Sequence, residues 1–71
     1  MKLIINGEEV SIKDGLNVNQ LLVEHNVKMP EMVSVELNGQ ILRRHVYETT
    51  QLNEGDKVEF LYFMGGGGGA E

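Results

Sequence analysis

The chain ends with Lys57-Val58-Glu59-Phe60-Leu61-Tyr62-Phe63, directly followed by Met64-Gly65-Gly66-Gly67-Gly68-Gly69-Ala70-Glu71. The first part is the most strand-like segment of the sequence. The five glycines have no side chains to bury, and ordering them would lose more backbone entropy than ordering any other residue. A strand followed by such a glycine run is typical of a protein whose tail inserts into a narrow site on another molecule. A terminal linker without chemistry is the alternative interpretation.

The size and composition of the chain restrict its function. Its 71 residues make one domain at most, and no cysteine is available for a disulfide, a thiolate metal site or a nucleophile. The net charge of −5 argues against nucleic acid and anionic membranes as partners and fits a partner with a basic surface. No apolar segment approaches the roughly 20 residues that cross a bilayer, and the start lacks a signal-peptide pattern. We therefore expect a soluble cytoplasmic protein.

Two Asn-Gly pairs predict β-hairpins. A type I′ turn needs positive φ at both central residues, and Asn6-Gly7 and Asn38-Gly39 both meet this requirement. The strands predicted on either side of these turns are residues 2–6, 8–12, 32–37 and 40–43.

A different periodicity predicts one helix between the hairpins. Apolar residues and one histidine recur at helical spacing, at Val18, Leu21, Leu22 and His25. Asn17 is a predicted N-cap with Gln20 in the capping-box position, and Pro30 prevents continuation. We expect a helix of about three turns.

The order of elements predicts the fold. Residues 44–53 have no sustained period and indicate an irregular crossover packed by Val46, Tyr47 and Leu52. Two strands, a helix, two strands, a crossover and a last strand predict an α+β fold of the β-grasp (ubiquitin-like) type, with the terminal strands central. We expect a mixed sheet of four to five strands with one main helix on one face. The β-grasp domain should span residues 1–64, and a flexible glycine-rich tail residues 65–71.

Several segments resemble the ThiS family. They are Val33-Ser34-Val35-Glu36-Leu37-Asn38-Gly39, Arg43-Arg44, Thr49-Thr50-x-Leu52, Glu54-Gly55-Asp56-x-Val58-Glu59 and Phe63-Met64-Gly65-Gly66. ThiS proteins are sulfur carriers of thiamine biosynthesis and are related to MoaD of molybdopterin synthesis.

The resemblance implies a carrier that is not itself an enzyme and binds no cofactor. An E1-like adenylating enzyme (ThiF-like) would use ATP to activate the carboxylate of a C-terminal glycine. A sulfur donor such as a cysteine desulfurase would convert the acyl-adenylate to a thiocarboxylate, and thiazole synthase (ThiG-like) would receive the sulfur. A side-chain-free tail suits this chemistry because it can thread a narrow channel while the folded body docks outside.

The resemblance also implies which glycine reacts. Tail insertion would involve Gly65, Gly66, Gly67, Gly68 and Gly69. The family ends on glycine, whereas this chain continues to Ala70-Glu71, so we expect a peptidase to expose Gly69, or further trimming to expose Gly66. The alternative is that Ala70-Glu71 was added to the natural sequence.

The strand period predicts a docking patch beside the tail. Val58, Phe60 and Tyr62 should share one face of the last strand, with Leu61 and Phe63 on the other. Ile4 should likewise lie opposite Leu3 and Ile5. The predicted patch, which would bind the activating enzyme and the acceptor, comprises Ile4, Leu61, Phe63 and Met64. Partial burial of both faces of a central strand is the alternative.

The other candidate residues indicate neither a metal site nor a catalytic site. His25 and His45 are isolated from each other and from carboxylates at ligand spacing, so we expect no metal site. Ser11 and Ser34 lack the context of a catalytic triad. The alternatives to a thiamine-pathway carrier are a MoaD-like synthase subunit, a carrier for amino-acid biosynthesis, a ubiquitin-like modifier joined to lysines, and a binding module with an inert tail.

Overall fold

The computed structural model describes residues 1–62. Its strands are β1 (Lys2–Ile5), β2 (Glu8–Ser11), β3 (Val33–Leu37), β4 (Gln40–Ile41) and β5 (Lys57–Tyr62). Helix α1 (Val18–Glu24) follows β2, and a single turn of 3₁₀ helix (Arg44–Val46) lies in the connection between β4 and β5.

The strands form one five-stranded mixed sheet in the order β2-β1-β5-β3-β4. The first and last strands are neighbours and run parallel, whereas every other pair is antiparallel. One helix packs on one face of this sheet, as in the predicted β-grasp arrangement, so the fold prediction is confirmed. Strand β5 lies at the centre, where it pairs with β1 at Lys57 and Val58 and with β3 along its length to Tyr62.

Both predicted hairpin turns are present. Asn6 and Gly7 have φ of 51° and 84°, and Asn38 and Gly39 have φ of 51° and 88°, as a type I′ turn requires. The asparagine side chains also bind β5. The oxygen Oδ1 of Asn6 accepts from the Phe60 amide at 2.9 Å, and that of Asn38 accepts from the Lys57 amide at 3.0 Å. Each turn therefore joins a hairpin to the central strand.

The helix begins as predicted but ends early. Asn17 Oδ1 accepts from the Gln20 amide at 2.8 Å, and Gln20 Oε1 accepts from the Asn17 amide at 2.9 Å, which completes the capping box. At the other end Asn26 has φ of 53°, and the Val27 amide donates to the Leu22 carbonyl at 3.0 Å. This Schellman arrangement ends α1 after seven residues. The expected three turns were wrong, because Asn26 stops the helix before Pro30 can.

The core lies between α1 and the sheet. Its buried members are Leu3, Ile5, Leu16, Val18, Leu21, Leu22, Val33, Val35, Tyr47, Leu52 and Val58. The crossover contributes Tyr47 and Leu52, as predicted, and Val46 is half-buried. The Tyr47 hydroxyl accepts a hydrogen bond from the Val35 amide at 3.1 Å. The polar end of this buried ring therefore satisfies a β3 amide inside the core.

Candidate functional site

The base of the tail is held firmly by its neighbours. Tyr62, the last described residue of β5, pairs with Val33 of β3. The predicted tail residues Gly65, Gly66, Gly67, Gly68 and Gly69 lie outside the described residues, as do Phe63 and Met64. The identity of the reacting glycine and the boundary of the domain at residue 64 therefore stay predictions. What the structure describes is the platform from which the tail starts.

Ile4 and Leu61 lie on the sheet face opposite α1, as the strand period predicts. Leu3 and Ile5 are buried against the helix, whereas Ile4 and Leu61 are half-buried on the other side. The two side chains are separated along the sheet. Ile4 pairs with Lys57, and Leu61 is four residues further along β5, or about 13 Å away at the rise of a strand. Their role in docking stays a prediction.

The face opposite α1 is mixed in character. Glu59 lies between Lys57 and Leu61 on β5 and is directly opposite Glu36 of β3. Glu36 is in turn opposite Ile41, which is 59% exposed. Two carboxylates directly across a strand pair repel each other, so this arrangement is unfavourable for the isolated domain. A partner that binds this face would have to offer basic groups between apolar ones.

Two residues, Tyr62 and Arg44, form hydrogen bonds to the loop between α1 and β3. The sequence pattern did not reveal these roles. The Tyr62 hydroxyl donates to the Lys28 carbonyl at 2.8 Å. The Arg44 guanidinium donates to the Pro30 carbonyl at 3.0 Å and to the Val33 carbonyl, and it lies 5.3 Å from the centroid of the Tyr47 ring. Arg44 and Tyr62 thus fix the loop between α1 and β3 beside the base of the tail.

These contacts distinguish Arg44 from its neighbour Arg43. Both arginine side chains are exposed to solvent. The Arg44 guanidinium nevertheless forms hydrogen bonds to backbone carbonyls of the same chain. The alternation along β5 placed Tyr62 on the helix face, and this was the one sequence signal for its contact. No local pattern marks Arg44, because its acceptors lie in a loop that reaches it only in the folded chain.

Neither the histidines nor the best-formed pocket within residues 1–62 offers a catalytic arrangement. The His25 ring lies 6.0 Å from the Phe60 ring, centroid to centroid, and His45 is in the 3₁₀ turn. Within residues 1–62 no three His, Asp or Glu side chains are grouped as metal ligands would be. A cavity of about 330 Å³ is lined by Lys13, Leu16, Asn19, Gln20, Val23 and Glu24. Its two charged residues, Lys13 and Glu24, pair with each other at 3.0 Å.

No helix within residues 1–62 is long and apolar enough to span a membrane.

A family model and a solved structure both match this chain. The sequence model of the ThiS family matches residues 3–67. The crystal structure of a thiamine biosynthesis protein (ThiS) from Geobacter metallireducens has a TM-score of 0.88 with this chain and is 46% identical. The similarity covers 94% of this chain and 100% of the Geobacter chain.

Two curated proteins extend the comparison. Thiazole synthase of Paramagnetospirillum magneticum is 42% identical over 67 residues, which make up 94% of this chain and 20% of the synthase. This chain therefore spans about a fifth of the length of that relative. The uncharacterised protein ycf40 of Porphyra purpurea is 32% identical, over 89% of this chain and 87% of its own length.

Proposed function

Because the chain belongs to the ThiS family, we propose that it is a sulfur carrier of thiamine biosynthesis, whose tail presents a glycine carboxylate for activation. The observation that carries the proposal is the extent of the family match, which continues from the folded body into the glycine run as far as residue 67. A match to the body alone would indicate a β-grasp domain, a fold that supports many functions. A match that includes the base of the tail supports the carrier function.

The proposed chemistry takes place at the acyl carbon of the terminal glycine. The carboxylate attacks the α-phosphorus of ATP in an E1-like adenylating enzyme, pyrophosphate leaves, and an acyl-adenylate forms. Hydrosulfide then attacks the activated acyl carbon, and AMP leaves with one of the original carboxylate oxygens, so that the product is a thiocarboxylate; a persulfide donor would require a thiol to reduce the acyl disulfide that it forms. ATP is a substrate of the partner enzyme, and the carrier itself supplies no catalytic group.

The folded body supports the proposed role because it positions the strand that leads to the tail. Tyr62, the last described residue before the tail, pairs with Val33 of β3 and donates its hydroxyl to the Lys28 carbonyl at 2.8 Å, so the strand that leads to the tail has a defined position and direction. Binding of the body therefore fixes where the tail begins, and an acyl group held at a set distance reacts with an advantage in effective concentration. A glycine tail adds reach without adding bulk.

The proposed acceptor of the sulfur is a thiazole synthase. In the Paramagnetospirillum protein, a region similar to this chain is part of a polypeptide named thiazole synthase. Physical linkage of a carrier to its acceptor raises their effective concentration, which is useful only when the two act together. The sulfur donor, for which a cysteine desulfurase is the proposed type, would act before this transfer.

The proposal is tested by following the mass of the tail. Three forms, ending at Gly66, at Gly69 and at Glu71, are each incubated with the E1-like enzyme of the thiamine pathway from the same organism, ATP and sodium sulfide. We expect a mass gain of about 16 Da, the replacement of oxygen by sulfur at the activated acyl carbon, in at least one form that ends on glycine. The same form without ATP is the control.

Absence of both pyrophosphate release and the mass gain in all three forms would refute the proposal. The full-length form ending at Glu71 should react only after loss of Ala70-Glu71. If that form gains sulfur on Glu71 itself, the requirement for a terminal glycine is wrong. Recovery of the chain from cells as an isopeptide conjugate on lysines, with no thiocarboxylate, would instead support the ubiquitin-like modifier.

A further inference from the structure

The two Asn-Gly turns of the sheet are closely matched in structure. Asn6 and Asn38 are the only asparagines of the sequence that precede a glycine, and both turns are exposed to water. Each of the two asparagines has φ of 51°. The Asn6 amide donates to the Val58 carbonyl at 2.9 Å, and the Asn38 amide donates to the Lys57 carbonyl at 2.8 Å. The chain therefore holds the same residue pair twice, in the same conformation and beside the same strand.

The side-chain amides of the two asparagines are held differently. Both use their oxygen in the same way, since Oδ1 of Asn6 accepts from the Phe60 amide and Oδ1 of Asn38 accepts from the Lys57 amide. The nitrogen of Asn38 also donates to Oδ1 of Asp56 at 3.0 Å. Within residues 1–62 the structure gives the nitrogen of Asn6 no such acceptor. The Asn38 amide group is thus held at both ends, and the Asn6 amide group at one.

An asparagine followed by glycine is prone to spontaneous deamidation, and asparagine is among the thermolabile residues. The backbone nitrogen of the glycine attacks Cγ of the asparagine, a C–N bond forms, and ammonia leaves, which gives a cyclic succinimide. Glycine favours this attack because no Cβ crowds its nitrogen. Water then opens the ring to aspartate or isoaspartate, so the net reaction consumes one water and releases one ammonia.

We propose that Asn6 is a site of spontaneous deamidation in the folded chain and that Asp56 protects Asn38 from the same reaction. Ring closure requires Cγ to approach the glycine nitrogen, so the side chain must leave the groups that hold it. At Asn38 this includes a hydrogen bond to a carboxylate, and bonds to charged groups are the stronger ones. The intermediate of the attack is anionic, and the negative charge of Asp56 disfavours it by repulsion.

Deamidation at Asn6 changes the connection between β1 and β2. Isoaspartate continues the backbone through its side-chain carbonyl, so it adds one methylene group to the turn. A turn lengthened in this way no longer has the geometry of a two-residue type I′ hairpin, and the Phe60 amide loses the acceptor that Asn6 provides. The first hairpin should therefore loosen from β5 as the protein ages. This reaction needs no partner protein and is independent of the proposed function.

The test measures the two rates in one sample of the folded chain. The protein is incubated at mildly alkaline pH, which favours deprotonation of the glycine nitrogen, and is then digested with trypsin. Cleavage after lysine and arginine leaves Asn6 in residues 3–13 and Asn38 in residues 29–43, so each site is followed on its own peptide. Each deamidation adds about 1 Da, and chromatography separates the two products. We expect Asn6 to react about fivefold faster than Asn38, or more.

Two controls assign this difference to Asp56. In chain unfolded by guanidinium chloride neither side chain is held, so the two rates should agree within about twofold. In the folded variant Asp56→Asn, the new side chain keeps an oxygen for the Asn53 amide, which Asp56 binds at 2.8 Å, but loses the charge. Asn38 should then react at about the rate of Asn6, and the rate at Asn6 should not change. General unfolding would instead accelerate both sites.

The remaining outcomes overturn the proposal. Rates at Asn6 and Asn38 that agree within about twofold in the folded chain would show that Asp56 gives no protection, as would faster reaction at Asn38. An Asp56→Asn variant in which Asn38 stays slow, or in which both sites accelerate equally, refutes the role of Asp56. If Asn6 does not react in the folded chain while the unfolded chain reacts, the fold protects both turns and Asn6 is not a modification site.

Discussion

Replacing Arg44 with alanine should loosen the loop between α1 and β3 and lower the stability of the whole domain. The hydrogen bond to the Pro30 carbonyl is exposed and should contribute about 0.5 kcal/mol, whereas the part-buried bond to the Val33 carbonyl should contribute about 1 kcal/mol. The guanidinium over the Tyr47 ring adds about 0.5–1 kcal/mol. The total loss is about 2 kcal/mol.

A loss of this size is measurable in so small a domain. A chain of 71 residues has a free energy of unfolding of roughly 4–10 kcal/mol, so the Arg44→Ala protein should stay folded at 25 °C. Its thermal midpoint should fall by about 8–16 °C. The chain has no tryptophan, so urea and thermal unfolding are best followed by far-ultraviolet circular dichroism. With a urea slope near 1 kcal/mol/M, the midpoint should fall by about 2 M.

Two further variants separate the geometry of Arg44 from its charge. Arg43→Ala removes the same charge from the adjacent exposed position and should have little effect. Arg44→Lys keeps the charge, but a single ammonium does not reproduce the planar fork that spans two carbonyls, so its stability should be intermediate. The reasoning fails if Arg44→Ala and Arg43→Ala differ by less than about 0.3 kcal/mol, which is within the error of additivity.

Three other changes test separate parts of the structure. Tyr47→Phe should lower the free energy of unfolding by about 1–3 kcal/mol in urea titrations, because the Val35 amide is left buried without a partner; an unchanged midpoint would show that this bond contributes nothing. Gly39→Ala should cost about 1–2 kcal/mol from backbone conformation alone, since φ is 88° and no atom lies within 4 Å of the added methyl group; a neutral effect would contradict the type I′ turn. Leu61→Asp should leave the circular dichroism spectrum unchanged and raise the Kd for the E1-like enzyme by about tenfold or more in calorimetry, with Glu59→Gln as a same-face comparison. Loss of folding in Leu61→Asp would show that Leu61 is a structural residue.

Local sequence determines the parts of this fold whose geometry depends on a few neighbouring residues. The pairs Asn6-Gly7 and Asn38-Gly39 predict type I′ turns because few other residue pairs adopt positive φ twice. Asn17 predicts the start of α1 for a similar reason, since its side chain has an amide within reach three residues later. These predictions are correct because no distant part of the chain competes with them.

Features that depend on contacts between distant residues were not predictable in this way. The end of α1, by contrast, is local: it depends on Asn26 in a left-handed conformation and was missed because the proline rule pointed to a later residue. The role of Arg44 depends on its hydrogen bonds to the carbonyls of residues 30 and 33. These residues precede the β3–β4 hairpin or begin it, and they approach Arg44 only in the folded chain. Nothing in the neighbouring sequence indicates acceptors so placed.

The candidate site was predictable in part. Alternation along β1 and β5 placed Ile4 and Leu61 on the face away from the helix. Their separation depends on the register in which Ile4 pairs with Lys57, and parallel register is set by the whole sheet rather than by either strand. The like-charged pair Glu36 and Glu59 between apolar positions was hidden for the same reason.

β5, the last strand of the sheet in chain order, occupies the middle of the sheet, and this order has a consequence for folding during synthesis. A polypeptide truncated before residue 57 contains both hairpins and the helix but cannot join them, since β1 and β3 meet only through β5. Joining them also requires closing a loop of about fifty residues between β1 and β5, which is slow. The five-stranded sheet can therefore form only once β5 has left the ribosome. We expect products that lack β5 to stay unfolded and open to proteolysis.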